Sequence, residues 1–389
     1  MVMRFVFLLL LALGFASAKD SSDLVLPHPR KVVKEKGGRI LGWDRDATAF
    51  EEIGVKSEII HLKPNGLVLP MYVDADSLCY VLEGRATAGI VRPSGEATNT
   101  RYVRVGDVVA LPAGWMVWLW NTGGLGMKMF CVNKQVLQED CKSCKTYFLA
   151  GSEESKKGSF LHGFSDEVLK RTFQVDMKEA RSIVQAQKSS VFADAKEFDN
   201  EVSSDQSDNG EMRGDLSFNM EIAHPDVIES GGRMTLLDDT KMRILEHLNF
   251  GAVLVKLNPS SMFAPQWLLG SGQIVYVTKG KGRVEVATHE GQAAIDQTVD
   301  AGDVFVVPPY HPHAVVNTGS FPMEWICIHF TSSFYPSFLS GSRSVYGSIP
   351  LEVLSASLNT SDDVADMVRS AHASEKMFFT LDRGFFSIV

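Results

Sequence analysis

The chain has 389 residues, 45% of them apolar and 22% charged, with 47 acidic side chains against 38 basic and a net charge of −9. That composition belongs to packed globular protein and excludes disordered, collagen-like and disulfide-scaffold chains. The acidic balance argues against a nucleic-acid partner, which needs a basic surface.

At the N-terminus, Arg4, the apolar run 5–15 and Ala16-Ser17-Ala18 make the three parts of a secretory signal peptide over residues 1–18. The run is short for a membrane anchor, and no later stretch is long and apolar enough to be one, so a mature chain of the secretory route, with no membrane anchor and a charge of −10, is expected. On that route cysteines can oxidise, and Asn359-Thr360-Ser361 is an N-glycosylation sequon at Asn359.

A repeat organises the rest. Residues 80–91 (YVLEGRATAGIV) return as 276–287 (YVTKGKGRVEVA), and 106–114 (GDVVALPAG) as 302–310 (GDVFVVPPY). Asn121-Thr122-Gly123 returns as Asn317-Thr318-Gly319, and Cys131 as Cys327, every pair 196 residues apart. These blocks are short apolar runs broken by Gly and Pro turns about every ten residues, the pattern of an antiparallel sandwich or barrel.

Helical segments follow each block. In 165–184, Val168, Leu169, Thr172 and Phe173 share a helix face, and Asp176 with Glu179 forms a capping box ahead of Ala180, Ile183 and Val184. The counterpart, 350–368, carries Val353, Leu354 and Leu358, then Ser361 as an N-cap ahead of Ala365 and Val368. The offset here is 185, so the first copy holds extra loop, part of it around Cys141-Lys142-Ser143-Cys144. Between the copies, 196–211 is acidic and without periodicity, which reads as a solvated linker. The expected division is signal peptide 1–18, barrel plus helical arm 19–190, acidic linker 191–214, and barrel plus helical arm 215–389.

These residues resemble the cupin superfamily, and within it the legumin-type (11S) seed storage globulins. The cupin motif of Gly, Pro-x-Gly, His and Asn is matched by Gly106, Pro112, Gly114 and Asn121, with Val117 in the His position. In the second copy it is matched by Gly302, Pro308, His313 and Asn317, with Tyr310 for Gly. The segments 35–44 (EKGGRILGWD), 65–72 (NGLVLPMY), 263–267 (FAPQW), 274–286 (IVYVTKGKGRVEV) and 351–357 (LEVLSAS) are similar to legumin markers in order. The resemblance implies an all-β fold of two jelly-roll cupin barrels, each with a helical arm, assembled as a homotrimer or hexamer. It implies a non-catalytic nutrient reservoir, not an enzyme, stored in the vacuole or exported.

Catalytic cupins hold a metal with a His-x-His…Glu cluster and a later His. In the first copy Met71, Val73, Ser77 or Leu78, and Val117 stand there, so an apolar interior without metal is expected. In the second, Gln266, Leu268 and Gln273 stand with His313. Two neutral amides and one imidazole hold a divalent ion weakly, and a hydrogen-bonded polar cluster is the leading reading. Cys327 and His329 share a strand face; turned toward His313, they would make a copper or zinc site, the alternative being a small-ligand or metal-binding second barrel, or a germin-like metal oxidoreductase. Their first-copy counterparts are Cys131 and Asn133, which favours reading the cysteine as a small buried strand residue.

Cys141 and Cys144 read as a disulfide pair rather than a redox motif, since no helix start is expected at the first thiol. His28, His61 and His162 read as surface or loop histidines, and no G-x-S-x-G elbow occurs. Legumins are cut by an asparaginyl endopeptidase between Asn and Gly at the domain junction, and Asn209-Gly210 lies in the equivalent place. The two cysteines that join legumin halves have no counterpart here. The 11 Asn and 10 Gln are ordinary numbers, so the amino-acid stock is not enriched in nitrogen as storage globulins usually are.

Overall fold

The computed structural model describes residues 24–26, 29–43, 49–50, 53–95, 101–136, 144–149, 151, 158–197 and 216–381. The signal peptide, Cys141, Asn209 and Gly210 lie outside the described residues.

The chain begins with β1 (Val25–Leu26), β2 (Arg30–Lys34), β3 (Gly38–Gly42), β4 (Val55–Leu62), β5 (Gly66–Val73), β6 (Ala75–Glu83) and β7 (Arg85–Val91). It continues through β8 (Arg101–Arg104), β9 (Asp107–Leu111), β10 (Met116–Trp120), β11 (Met127–Gln135) and β12 (Thr146–Phe148). Helices α1 (Asp166–Phe173) and α2 (Met177–Gln185) form the first arm, and β13 (Phe192–Asp194) closes the module.

The second module runs through β14 (Ser217–Asn219), β15 (Val227–Glu229), β16 (Gly232–Leu237), α3 (Ile244–Leu248), β17 (Gly251–Leu257) and β18 (Ser261–Leu268). Then come β19 (Gln273–Lys279), β20 (Lys281–Ala287), β21 (Ala293–Asp300), β22 (Val304–Val307), β23 (His313–Val316), β24 (Met323–His329) and β25 (Pro336–Phe338). The second arm is α4 (Leu351–Leu358) and α5 (Asp362–Ser370), followed by β26 (Phe378–Thr380).

Each module packs two antiparallel sheets into a jelly-roll barrel. The first has β14-β9-β6-β11-β4-β3-β2 against β12-β5-β10-β7-β8, with β13 also on β5. The second has β1-β22-β19-β24-β17-β16-β15 against β21-β20-β23-β18-β25, with β26 also on β18. The larger sheets correspond strand by strand in the order given and the smaller sheets in the reverse order, as the 196-residue repeat requires, and one feature crosses over. The first strand of each half is the edge strand of the other half's sheet: β1 pairs with β22, and β14 with β9.

Alternation puts Val109, Cys79 and Met129 inside the first barrel, and Val275, Phe305 and Trp325 inside the second. The opposite faces of the larger sheets pack on each other through a third apolar core that includes Leu78, Phe130, Leu254 and Ile326. Phe130 stacks on Tyr276 across it, ring centroids 4.9 Å apart. Lys134 Nζ donates to the carbonyls of Leu248 (2.7 Å) and Asn249 (3.2 Å), capping the C-terminal end of α3 from the other module.

The arms form as their caps dictate. Asp176 and Glu179 exchange both bonds of the capping box (Glu179 N to Asp176 Oδ1, 2.8 Å; Asp176 N to Glu179 Oε2, 2.9 Å). Ser361 caps α5. Leu169, Ala180, Val184, Leu354 and Ala365 are buried, while Val168, Phe173, Ile183, Val353, Leu358, Val364 and Met367 of the same helices stand exposed.

Residues 191–197, expected in the linker, are built into the first module. Val191 and Phe192 are buried, and Ala195–Glu197 is a 3-10 turn. Their anchor is Glu35, whose carboxylate accepts from the backbone N–H groups of Ser190 (3.1 Å), Val191 (3.0 Å) and Phe192 (2.6 Å). Glu229 does the same in the second module, accepting from Lys376, Met377 and Phe378. The glycines after each Glu make room: a Cβ on Gly37 would fall 1.9 Å from Ala193 O.

Candidate functional site

The second barrel holds a small cavity of about 20 Å³ lined by Gln266, Gln273, His313 and Cys327 among apolar residues such as Val255, Phe263 and Trp325. Gln266 on β18 pairs with His313 on β23, and Gln273 on β19 lies opposite His329 on β24. So four of the five weighed residues meet in one place. The Cys327 thiol donates to Gln273 Oε1 at 3.3 Å, and His313 Nδ1 lies 3.4 Å from His311 O. Gln266 is 2% exposed, and its Oε1 has no hydrogen-bond partner among the described residues. A cavity of this size holds about one water molecule and is far smaller than a site for an organic ligand, typically a few hundred Å³.

His329 stands apart. It shares the inward face with Cys327 but sits one step further along β24, outside the cavity lining, fully buried beside Phe334 with ring centroids 5.6 Å apart. Among the described residues, neither of its ring nitrogens has a hydrogen-bond partner. Burial pulls His313 and His329 down to about 4 and pushes the Cys327 thiol up. At neutral pH the cavity cluster is therefore one neutral imidazole, a protonated thiol and two amides, with the second neutral imidazole, His329, outside it. Zinc and copper sites are built from three or four thiolate, imidazole or carboxylate donors, and the cavity lining brings together one imidazole, His313, and one thiol, Cys327, beside two weakly donating amides. Among the described residues, no three His, Cys, Asp or Glu side chains are placed to hold a metal ion.

In the first barrel Met71 pairs with Val117 at the same positions. Ser77, rather than Leu78, faces inward, donating to Asn133 Oδ1 at 2.6 Å; Leu78 packs in the core between modules. Cys131 departs from its sequence reading. It is bonded to Cys79 on the neighbouring strand β6, with Cα atoms 4.1 Å apart. Counting along one strand could not show this, because the partner lies across a sheet register.

The motif asparagines organise turns. Asn121 is fully buried; its Nδ2 donates to Lys63 O and Leu125 O, and its Oδ1 accepts from Gly123 N. Asn317 repeats all three bonds with Leu257, Phe321 and Gly319. Tyr310, in place of glycine, is held at φ +65° in the turn between β22 and β23, 62% exposed. Asn359 is the exposed left-handed residue between α4 and α5. His61, read as a surface or loop residue, lies on β4, half-buried, and its pKa is lowered by burial and by the Arg39 and Lys128 charges. His162 lies in a 3-10 turn with Nδ1 3.1 Å from Ser159 O, and His28 is outside the described residues.

The Glu35 and Glu229 anchors escaped the sequence reading. Their signal is present as EKGGRI (35–40) against ESGGRM (229–234), a repeat at offset 194.

The chain matches the family described as Cupin over residues 24–181 and 218–366. It is 25% identical to the 11S globulin seed storage protein 2 of Sesamum indicum, over 91% of this chain and 90% of that protein. It is 28% identical to Cocosin 1 of Cocos nucifera, over 91% of this chain and 87% of that protein. The crystal structure of the coconut allergen cocosin superimposes with a TM-score of 0.83 at 27% identity, covering 92% of this chain and 98% of that one.

Proposed function

The chain belongs to the cupin family as a legumin-type bicupin, and from that premise we infer that it is a storage globulin, a non-catalytic nutrient reservoir. The observation that carries the reading is the second barrel itself. Its polar residues are neutral and almost wholly buried around space for about one water, whereas catalysis requires poised titratable groups with room for a substrate. Seed storage globulins match over nine-tenths of the chain.

Residues 1–18 direct the chain into the secretory route, toward a storage vacuole or the exterior, with Asn359 placed for glycosylation on an exposed turn. Among the described residues, no helix is long and apolar enough to cross a membrane. The exposed apolar faces of both arms support docking between copies, as a homotrimer that can pair into a hexamer. Asn209-Gly210 is the site offered to an asparaginyl endopeptidase, and Cys141 with Cys144 the candidate local disulfide.

Elemental analysis of the purified protein tests the non-catalytic reading. Transition metal well below one atom per chain is expected. One atom per chain, lost on His313→Ala, would overturn it in favour of a metal-binding second barrel.

A further inference from the structure

The second barrel has a valine where the first has a cysteine. Under the 196-residue offset Cys79 corresponds to Val275 and Cys131 to Cys327. Cys79 faces Cys131 across β6 and β11 and is bonded to it, whereas Val275 faces Cys327, whose thiol donates to Gln273. Both bonded cysteines are 2% exposed and belong to the interior core of the first barrel. Strands β6 and β11 are adjacent near the middle of a seven-stranded sheet. The bond joins residues 52 apart and encloses β7, β8, β9 and β10, which include three of the strands of the opposing sheet. A crosslink of this kind restricts the opened ensemble of the segment it encloses. Here that segment lies in the first barrel alone.

We propose that the Cys79–Cys131 bond is a redox-operated lock on the first barrel: oxidised, the barrel resists proteases, and a dithiol reductant makes it the place where breakdown of the chain begins. The exchange balances. A thiolate of the dithiol attacks one sulfur, the other cysteine leaves as thiolate and takes up a proton, and the reductant's second thiol displaces the mixed disulfide. Two electrons pass from the dithiol, which ends as a disulfide, to the cysteine pair, which ends as two thiols. Because both sulfurs are buried, exchange occurs in the transiently opened barrel, and reduction removes the crosslink that favours reclosing. The purpose of such a lock, an ordered release of stored protein, rests on the reserve reading; the lock itself does not.

Limited trypsin digestion of the full chain, with and without dithiothreitol, tests it, with fragments assigned by mass. Dithiothreitol should raise the rate of first cleavage in the first barrel on the order of a hundredfold, while cleavage within the second barrel keeps its rate. Cys79→Val, which copies the Val275 position, should digest like the reduced protein whether or not reductant is present; this separates the lock from any bond at Cys141 or Cys144. Should Cys79→Val fail to fold, Val275→Cys decides, since it should slow cleavage of the second barrel in a way that dithiothreitol reverses. Alkylation of both Cys79 and Cys131 in denatured, unreduced protein, or first-barrel digestion indifferent to dithiothreitol, would overturn the proposal and leave the storage role standing. A protein that keeps the lock but does not accumulate as a reserve would overturn only the storage role.

Discussion

Replacing Glu35 by alanine removes the carboxylate that gathers three backbone N–H groups of the returning chain, at 3.1, 3.0 and 2.6 Å. Two of those amides belong to Val191 and Phe192, which are 1% and 0% exposed, so little water can replace the lost acceptor. A hydrogen bond to a charged group contributes about 1.5–3 kcal/mol, and a buried donor left unpaired costs about 1–3 kcal/mol. Glu35 is itself only half-buried, and the strand can shift toward solvent, so the sum is reduced to about 3 kcal/mol. For a chain of this length that corresponds to a fall of about 4 °C in Tm if the modules unfold together. Glu35→Gln, which keeps an acceptor without the charge, should lose about 1 kcal/mol. Calorimetry gives the stability, and amide hydrogen exchange should show faster exchange at residues 190–192 while 376–378, held by Glu229, stay protected. A Glu35→Ala protein within about 0.5 kcal/mol of wild type, with unchanged exchange at 190–192, would refute the anchoring role.

Tyr310 is held in the left-handed region where its counterpart is Gly114, so Tyr310→Gly should stabilise the chain by about 1 kcal/mol in denaturant melts; a loss of stability would show that the exposed ring makes contacts worth more than the strain. Burial holds His313 and His329 at about 4, below the roughly 6.5 of the unfolded chain. Unfolding therefore takes up protons between these values. The stability is fully present above about pH 6.5 and falls as pH drops toward about 4, by up to about 3 kcal/mol for each histidine. The double variant His313→Gln, His329→Gln should show a flatter loss between pH 6.5 and 4 in equilibrium unfolding, and an unchanged slope would contradict the neutral, buried assignment. Lys134→Met removes the cap on α3 and should cost about 1–2 kcal/mol, with faster exchange at the end of α3; equal stability and exchange would mean that water caps the helix equally well.

What the sequence made legible was local or repeated. The strand blocks, the Asp176–Glu179 capping box, the Ser361 cap and the arms could be read because each signal lies within a few residues or recurs at a fixed offset. The polar cluster of Gln266, Gln273, His313 and Cys327 was legible for the same reason: a motif with one surviving member marks where its absent partners should be. Illegible were contacts between segments far apart in the chain. Strands β1 and β14 are two and three residues long and pair with strands more than a hundred residues away, too short to carry a pattern. The Cys79–Cys131 bond follows from sheet register, which five cysteines in a sequence do not disclose. The Cys79 position is also where the two copies differ, so the repeat pointed to valine. Likewise the linker boundary was set too early, because β13 is three residues long and depends on Glu35 for its place.

The storage role is tested most directly by measuring the amount of this protein, by quantitative immunoblot, in reserve tissue from maturation through the resumption of growth. A nutrient reservoir should accumulate to an abundant fraction of total protein and then fall away as growth resumes. A low, constant amount through both periods would contradict a reserve, whatever the fold.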